Sequence, residues 1–88
     1  MKDVTLYTTN YCPYCRQAEQ FLTQKQVPFQ NVDVTGNDEL RAKLVELSGG
    51  RRTVPQIFIG GEAIGGYSDM MELHQAGKLA PLLGVPTL

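Results

Sequence analysis

The chain has 88 residues, a 42% hydrophobic share and a formal net charge of -1. That size and apolar fraction suit one globular domain spanning 1–88 and argue against a disordered chain. No basic run marks a nucleic-acid partner, and no stretch of 18 apolar residues or signal-like leader marks a membrane, so a cytoplasmic monomer is expected.

"VTLYT", Val4 to Thr8, alternates β-branched and aromatic residues and predicts a first strand. The loop "TNYCPYC" follows. From Pro13 the period turns helical, with Cys15, Ala18 and Leu22 at i, i+3 and i+7, and Pro13 suits the first helical position. "VPFQNVDV" predicts a second strand carrying Phe29, Val32 and Val34. Gly36, Asn37 and Asp38 break it and offer a cap for a second helix. Its apolar stripe is Leu40, Leu44 and Leu47, with Val45, and it stops at Gly49-Gly50.

"VPQIFIGGEAIGG" predicts a hairpin: a strand from Ile57 to Ile59, a Gly60-Gly61 turn, and a strand around Ala63 and Ile64. Ser68 or Asp69 then caps a third helix, Asp69 and Glu72 having capping-box spacing, with Met70 and Leu73 inward and an end at Gly77. "LAPLLGVPTL" predicts a terminal turn, with 85–88 a short tail. The order β-α-β-α-β-β-α predicts an α/β fold in which helices flank a four-stranded mixed sheet.

The chain has two cysteines, Cys12 and Cys15, separated by Pro13 and Tyr14. Three roles compete for such a pair: a structural clip, half of a metal site, or a dithiol that cycles. A clip closing so short a loop constrains the unfolded chain little, and structural disulfides rarely persist in the cytosol. A zinc site needs four ligands, and the only histidine, His74, has no neighbouring ligand at zinc spacing. A C-x-x-C between a strand and a helix favours thiol–disulfide chemistry. Helix N-termini present unpaired N–H groups and partial positive charge, which favour a thiolate at Cys12.

Two further segments are candidates. In "RTVPQIF", Pro55 must stand at the start of its strand. A cis bond before it would turn the Val54 backbone toward a peptide-like ligand, whereas an ordinary trans proline would do nothing of the kind. In "GGYSD", Gly65 and Gly66 permit close backbone approach, and Ser68 and Asp69 at a helix start offer N–H donors to a carboxylate. Asp69 could accept from an ammonium. A plain turn with an N-cap explains the same residues equally well.

Together "CPYC", "TVPQIFI" and "GGYSD", in this order and spacing, resemble a dithiol glutaredoxin of the small bacterial class, from Val4 to about Leu83. The resemblance implies a thioredoxin-like fold, a cis Val54–Pro55 bond, and a glutathione-dependent oxidoreductase acting on protein disulfides and glutathionylated proteins. Glutathione would be the cosubstrate, with no bound cofactor or metal. Cys12 would be the attacking thiolate and Cys15 the resolving thiol. Tyr14, Thr53, Val54, Pro55, Gly66, Ser68 and Asp69 would form the glutathione groove, with Val54 pairing to the cysteinyl part and Ser68 and Asp69 holding the γ-glutamyl end. Many family members carry Lys where Thr9 stands, and Arg16, Arg51 or Arg52 would have to supply that charge. The absence of tryptophan before the C-x-x-C, together with "GGYSD", argues against a thioredoxin proper. A cluster-carrying binding module is the rival from another class, separable by the colour and iron content of purified protein.

Overall fold

A computed structural model describes residues 1–88. Its elements are β1 (Val4–Thr8), α1 (Pro13–Gln24), β2 (Gln30–Asp33), α2 (Asp38–Leu47), β3 (Gln56–Ile59), β4 (Glu62–Gly65), α3 (Tyr67–Gln75) and α4 (Leu79–Leu83). The sheet order is β2-β1-β3-β4, with β1 parallel to β2 and antiparallel to β3, and β3 antiparallel to β4. This is the four-stranded mixed sheet expected, with α4 added at the end.

The two central strands set the layers. In β1, Val4, Leu6 and Thr8 are buried and alternate with half-buried Thr5 and Tyr7. All four residues of β3 are buried, as a strand covered on both faces must be. One face collects Val4, Leu6, Ile57 and Ile59 with Ala18 and Leu22 of α1, Met70 of α3, and Leu79 and Leu83 of α4. On β1 and β3, the rings of Tyr7 and Phe58 meet edge to face at 5.4 Å. The period read for α1 is the period observed: Cys15, Ala18 and Leu22 are its buried residues. Gly60 and Gly61 close the β3–β4 hairpin with φ of 58° and 83°, the left-handed pair a two-residue turn requires.

Four details differ from expectation. β2 is shorter than "VPFQNVDV": Phe29 precedes it, and Val34, just past its end, is buried and donates its N–H to the Thr8 carbonyl at 2.8 Å. The apolar stripe of α2 narrows to Leu44, with Leu40 and Val45 half-buried. Leu47, in the last turn, is 48% exposed. A ten-residue helix spans about 15 Å, and here only its middle is fully buried. Its cap is as read, with Asn37 Oδ1 accepting from the Leu40 N–H at 3.0 Å.

The third helix starts earlier than expected. Gly66 is its N-cap, and Asp69, three residues on, accepts the Gly66 N–H at 2.8 Å. A glycine has no side chain to complete a capping box, so only this reciprocal half exists. Finally, "LAPLL" is a helix rather than a turn. Leu79 and Leu83 are fully buried, and Val85 and Leu88, expected as a tail, pack against the same core cluster. Leu79→Ala is therefore expected to cost about 2–5 kcal/mol, as a truncation inside a closed core does. Urea unfolding measures it. A loss below about 0.5 kcal/mol would mean that α4 is not held by the core.

Candidate active site

β1 delivers the chain into the loop Thr9–Cys12, and α1 begins at Pro13 with Cys12 as its N-cap. Pro at the first helical position costs no hydrogen bond, since that N–H would have no helical partner. The Cys12 sulfur does what a capping oxygen does elsewhere: it accepts the Cys15 N–H at 3.1 Å. Both cysteines are free thiols, Cys12 half-buried and Cys15 fully buried. One sulfur therefore faces outward and the other lies beneath it.

The environment of Cys15 holds its proton on. Burial is the largest influence, followed by its hydrogen bond to Cys12, and together they push its thiol up to about 12. The Thr9 amide and the charge of Arg16 act in the opposite direction. Arg16 is pinned here, donating to the Thr9 carbonyl at 3.1 Å and pairing with Glu19 at 2.7 Å. Thr9 itself is buried, and its hydroxyl has no hydrogen-bond partner.

The second segment approaches Cys12 directly. The Val54–Pro55 peptide is cis, and the Val54 carbonyl accepts from the Cys12 thiol at 3.6 Å. Val54 lies outside the ladder of β3, so its N–H has no backbone partner. Gln56 fixes the preceding turn: its side-chain amide donates to the Thr53 carbonyl at 3.0 Å and hydroxyl at 3.2 Å. That buried glutamine was not picked out by sequence reasoning, since its polarity inside an apolar strand is the only signal it gives.

The third segment closes the site from the other side. Gly65, at φ 107°, sits where a side chain is strained, and a Cβ there would push aside the Asp69 carboxylate and the Arg51 guanidinium. Those two groups pair at 3.0 Å. The Gly66 N–H first, and then the Arg51 guanidinium, hold the Asp69 carboxyl below the usual carboxylate range.

The result is one open groove of about 170 Å³. Its lining contains every groove residue singled out in the sequence: Tyr14, Thr53, Val54, Pro55, Gly66, Ser68 and Asp69. Arg51 and Tyr67 complete it. Of the three arginines considered as substitutes for a lysine at Thr9, only Arg51 lines the groove; Arg16 is engaged elsewhere and Arg52 lies outside the lining. Tyr67 was missed, although it sits inside "GGYSD". It faces Tyr14 across the groove with ring centroids 6.2 Å apart. Cys12 reaches the groove through its contact with Val54.

No three His, Cys, Asp or Glu side chains come together as a metal-holding group, and His74 packs its ring against Phe21 at 5.0 Å. No helix is long and apolar enough to cross a membrane.

Residues 4–64 match the glutaredoxin family model. The chain is 48% identical over 83 residues to a glutaredoxin of Pseudomonas aeruginosa, covering 94% of this chain and 98% of that protein. The chain belongs to the glutaredoxin family. It is also 45% identical to glutaredoxin 3 of Escherichia coli, over 94% of this chain and 99% of that one. A buckwheat glutaredoxin solved as a glutathione complex superposes with a TM-score of 0.84 at 33% identity, covering 93% of this chain and 76% of that one. The thioredoxin-like fold and thiol–disulfide oxidoreductase chemistry follow with the family. The family model ends within β4, so the glutaredoxin likeness of "GGYSD" rests on the longer matches.

Proposed function

We infer that the chain is a glutathione-dependent thiol–disulfide oxidoreductase that reduces glutathionylated proteins and protein disulfides, with glutathione as cosubstrate. The observation that carries this reading is the groove, which joins backbone, carboxylate and aromatic groups from three distant segments beside one outward-facing sulfur. Each feature fits a part of glutathione. The unpaired Val54 N–H suits an extended peptide backbone. Both hydrogen bonds of Asp69 fall on Oδ2, which leaves Oδ1 for the γ-glutamyl ammonium. The exposed N–H groups at the start of α3 suit the adjacent carboxylate. The buckwheat relative, solved as a glutathione complex, supports glutathione as the ligand.

In the proposed cycle the Cys12 thiolate attacks the glutathione sulfur of a mixed disulfide. A Cys12–glutathione disulfide forms, and the protein thiolate leaves and takes up a proton. A second glutathione then attacks the bound glutathione sulfur, releasing oxidised glutathione and restoring Cys12. With a protein disulfide, Cys12 forms the mixed disulfide and Cys15 displaces the substrate thiolate. Two glutathiones reduce the resulting Cys12–Cys15 bond.

The deciding assay is glutathione-dependent reduction of a small glutathione mixed disulfide. Turnover first-order in enzyme supports the reading, and none above the uncatalysed exchange overturns it. Asp69 offers a finer check because it caps α3 as well as facing the groove. Asp69→Asn keeps an acceptor for the Gly66 N–H but loses the charge and the Arg51 ion pair, so the melting temperature should fall less than in the Ala variant while KM for glutathione rises about tenfold. Asp69→Ala should lose both, with about 1 kcal/mol of stability going with the cap. An unchanged KM in the Asn variant would make Asp69 a cap and nothing more.

A further inference from the structure

The chain has four arginines, Arg16, Arg41, Arg51 and Arg52, and all stand around the Cys12 end of the molecule. Arg16 bonds the Thr9 carbonyl, Arg51 lines the groove, Arg52 adjoins Thr53, and Arg41 donates to the Arg52 carbonyl at 3.2 Å. Of the four lysines, Lys2, Lys25 and Lys78 lie elsewhere, at the start of the chain, the far end of α1 and the entry to α4, and Lys43 shares α2 with Arg41. Only Arg16 and Arg51 have a carboxylate within salt-bridge distance, Glu19 and Asp69. Arg41 and Arg52 have none. The lysines are unpaired as well, but Arg41 and Arg52 are the two unpaired guanidinium groups, joined to each other and adjoining the groove at Thr53.

Resting on the function inferred above, we propose that Arg41 and Arg52 form a docking rim for protein substrates that carry acidic residues near the target cysteine. Guanidinium groups suit carboxylates better than ammonium groups do, because their planar fork can donate two parallel bonds. Unpaired cations at the edge of a reactive cleft also raise the encounter rate with acidic partners and penalise basic ones. Glutathione occupying the groove leaves the rest of the substrate outside it, where this rim and exposed Tyr11 are available. Tyr and Arg are the side chains most favoured at the centres of protein interfaces. Arg52 is two residues from Val54, which touches the Cys12 sulfur. At about 3.3 Å per extended residue, the favoured acid lies roughly two to four residues from the substrate cysteine.

The test uses two glutathionylated peptides with one cysteine each, flanked either by glutamates or by lysines, and a small mixed disulfide as reference. Wild type should reduce the acidic peptide with about tenfold higher kcat/KM at low salt, and the preference should collapse near about 0.5 M salt. Arg41→Gln with Arg52→Gln should remove most of that preference while the small disulfide stays within about twofold. Arg41→Lys with Arg52→Lys should retain much of it, since the charge remains. Equal rates on the two peptides, or a full preference in the Gln variant, would overturn the docking rim. Failure of wild type on the small disulfide would instead overturn the glutathione-dependent function itself.

Discussion

Cys12→Ser is expected to lose thiol transfer by on the order of a thousandfold or more, on every substrate. The reason is positional as well as chemical. Cys12 is the only thiol with access to solvent, since Cys15 is fully buried. It caps α1, where the Cys15 N–H points at it from 3.1 Å, so charge on that sulfur is met by a donor already in place. A serine in the same spot keeps the cap, and with it the start of the helix, but its hydroxyl is not ionised at neutral pH and there is no base beside it. The variant should therefore keep the wild-type melting temperature, within the uncertainty of the cap, while activity vanishes. Initial rates with a small mixed disulfide and with a protein disulfide check it together. Appreciable residual turnover on either would mean that Cys15 attacks, and that the helix-terminus argument assigns the roles the wrong way round.

Much of this architecture is legible because local patterns and tertiary demands agree. "VTLYT" alternates and becomes the half-buried central strand, the Cys15–Ala18–Leu22 period becomes the buried face of α1, and Gly60-Gly61 makes the hairpin turn. The site is legible for a different reason: each of its three segments carries residues that suit a ligand or a reaction and do little for packing. The failures are equally physical. The start of α3 is obscured because Asp69 has cap chemistry, yet it acts from the third helical position back onto Gly66. α4 is not legible because five residues with an internal proline show no helical period; the burial of Leu79 and Leu83 in the shared core holds it. Leu47 cannot be told from Leu44 by spacing, since only the packing partner decides which is covered. Tyr67 gains its importance from a partner far away in the chain, Tyr14, and no local pattern encodes such a meeting.

Cys15→Ser is expected to divide the two proposed activities. Reduction of a glutathione mixed disulfide needs only Cys12 and a second glutathione, so it should persist. Reduction of a protein disulfide by the dithiol route needs an internal thiol with a large effective concentration, and that route should fall to a small fraction of wild type. The structure also gives Cys15 a timing. While Cys12 is free, burial and the Cys12 sulfur keep the Cys15 thiol protonated up to about pH 12, so it does not compete for substrate. Once Cys12 enters a mixed disulfide, its charge and its hydrogen bond no longer hold that proton, whereas the Thr9 amide and Arg16 still favour a thiolate. Resolution thus becomes easier when it is needed. The same raised pKa has a thermodynamic consequence. Folded Cys15 stays protonated above its ordinary value near 9, so its contribution to stability is complete below that pH and is lost as pH climbs toward about 12. Reduced wild type should therefore show an alkaline loss of melting temperature that the Ser variant lacks. Under turnover the variant should accumulate glutathionylated Cys12, seen as an added mass that a reductant removes. If both activities fall together and no such adduct forms, the monothiol branch is wrong, and the enzyme works through its Cys12–Cys15 disulfide alone.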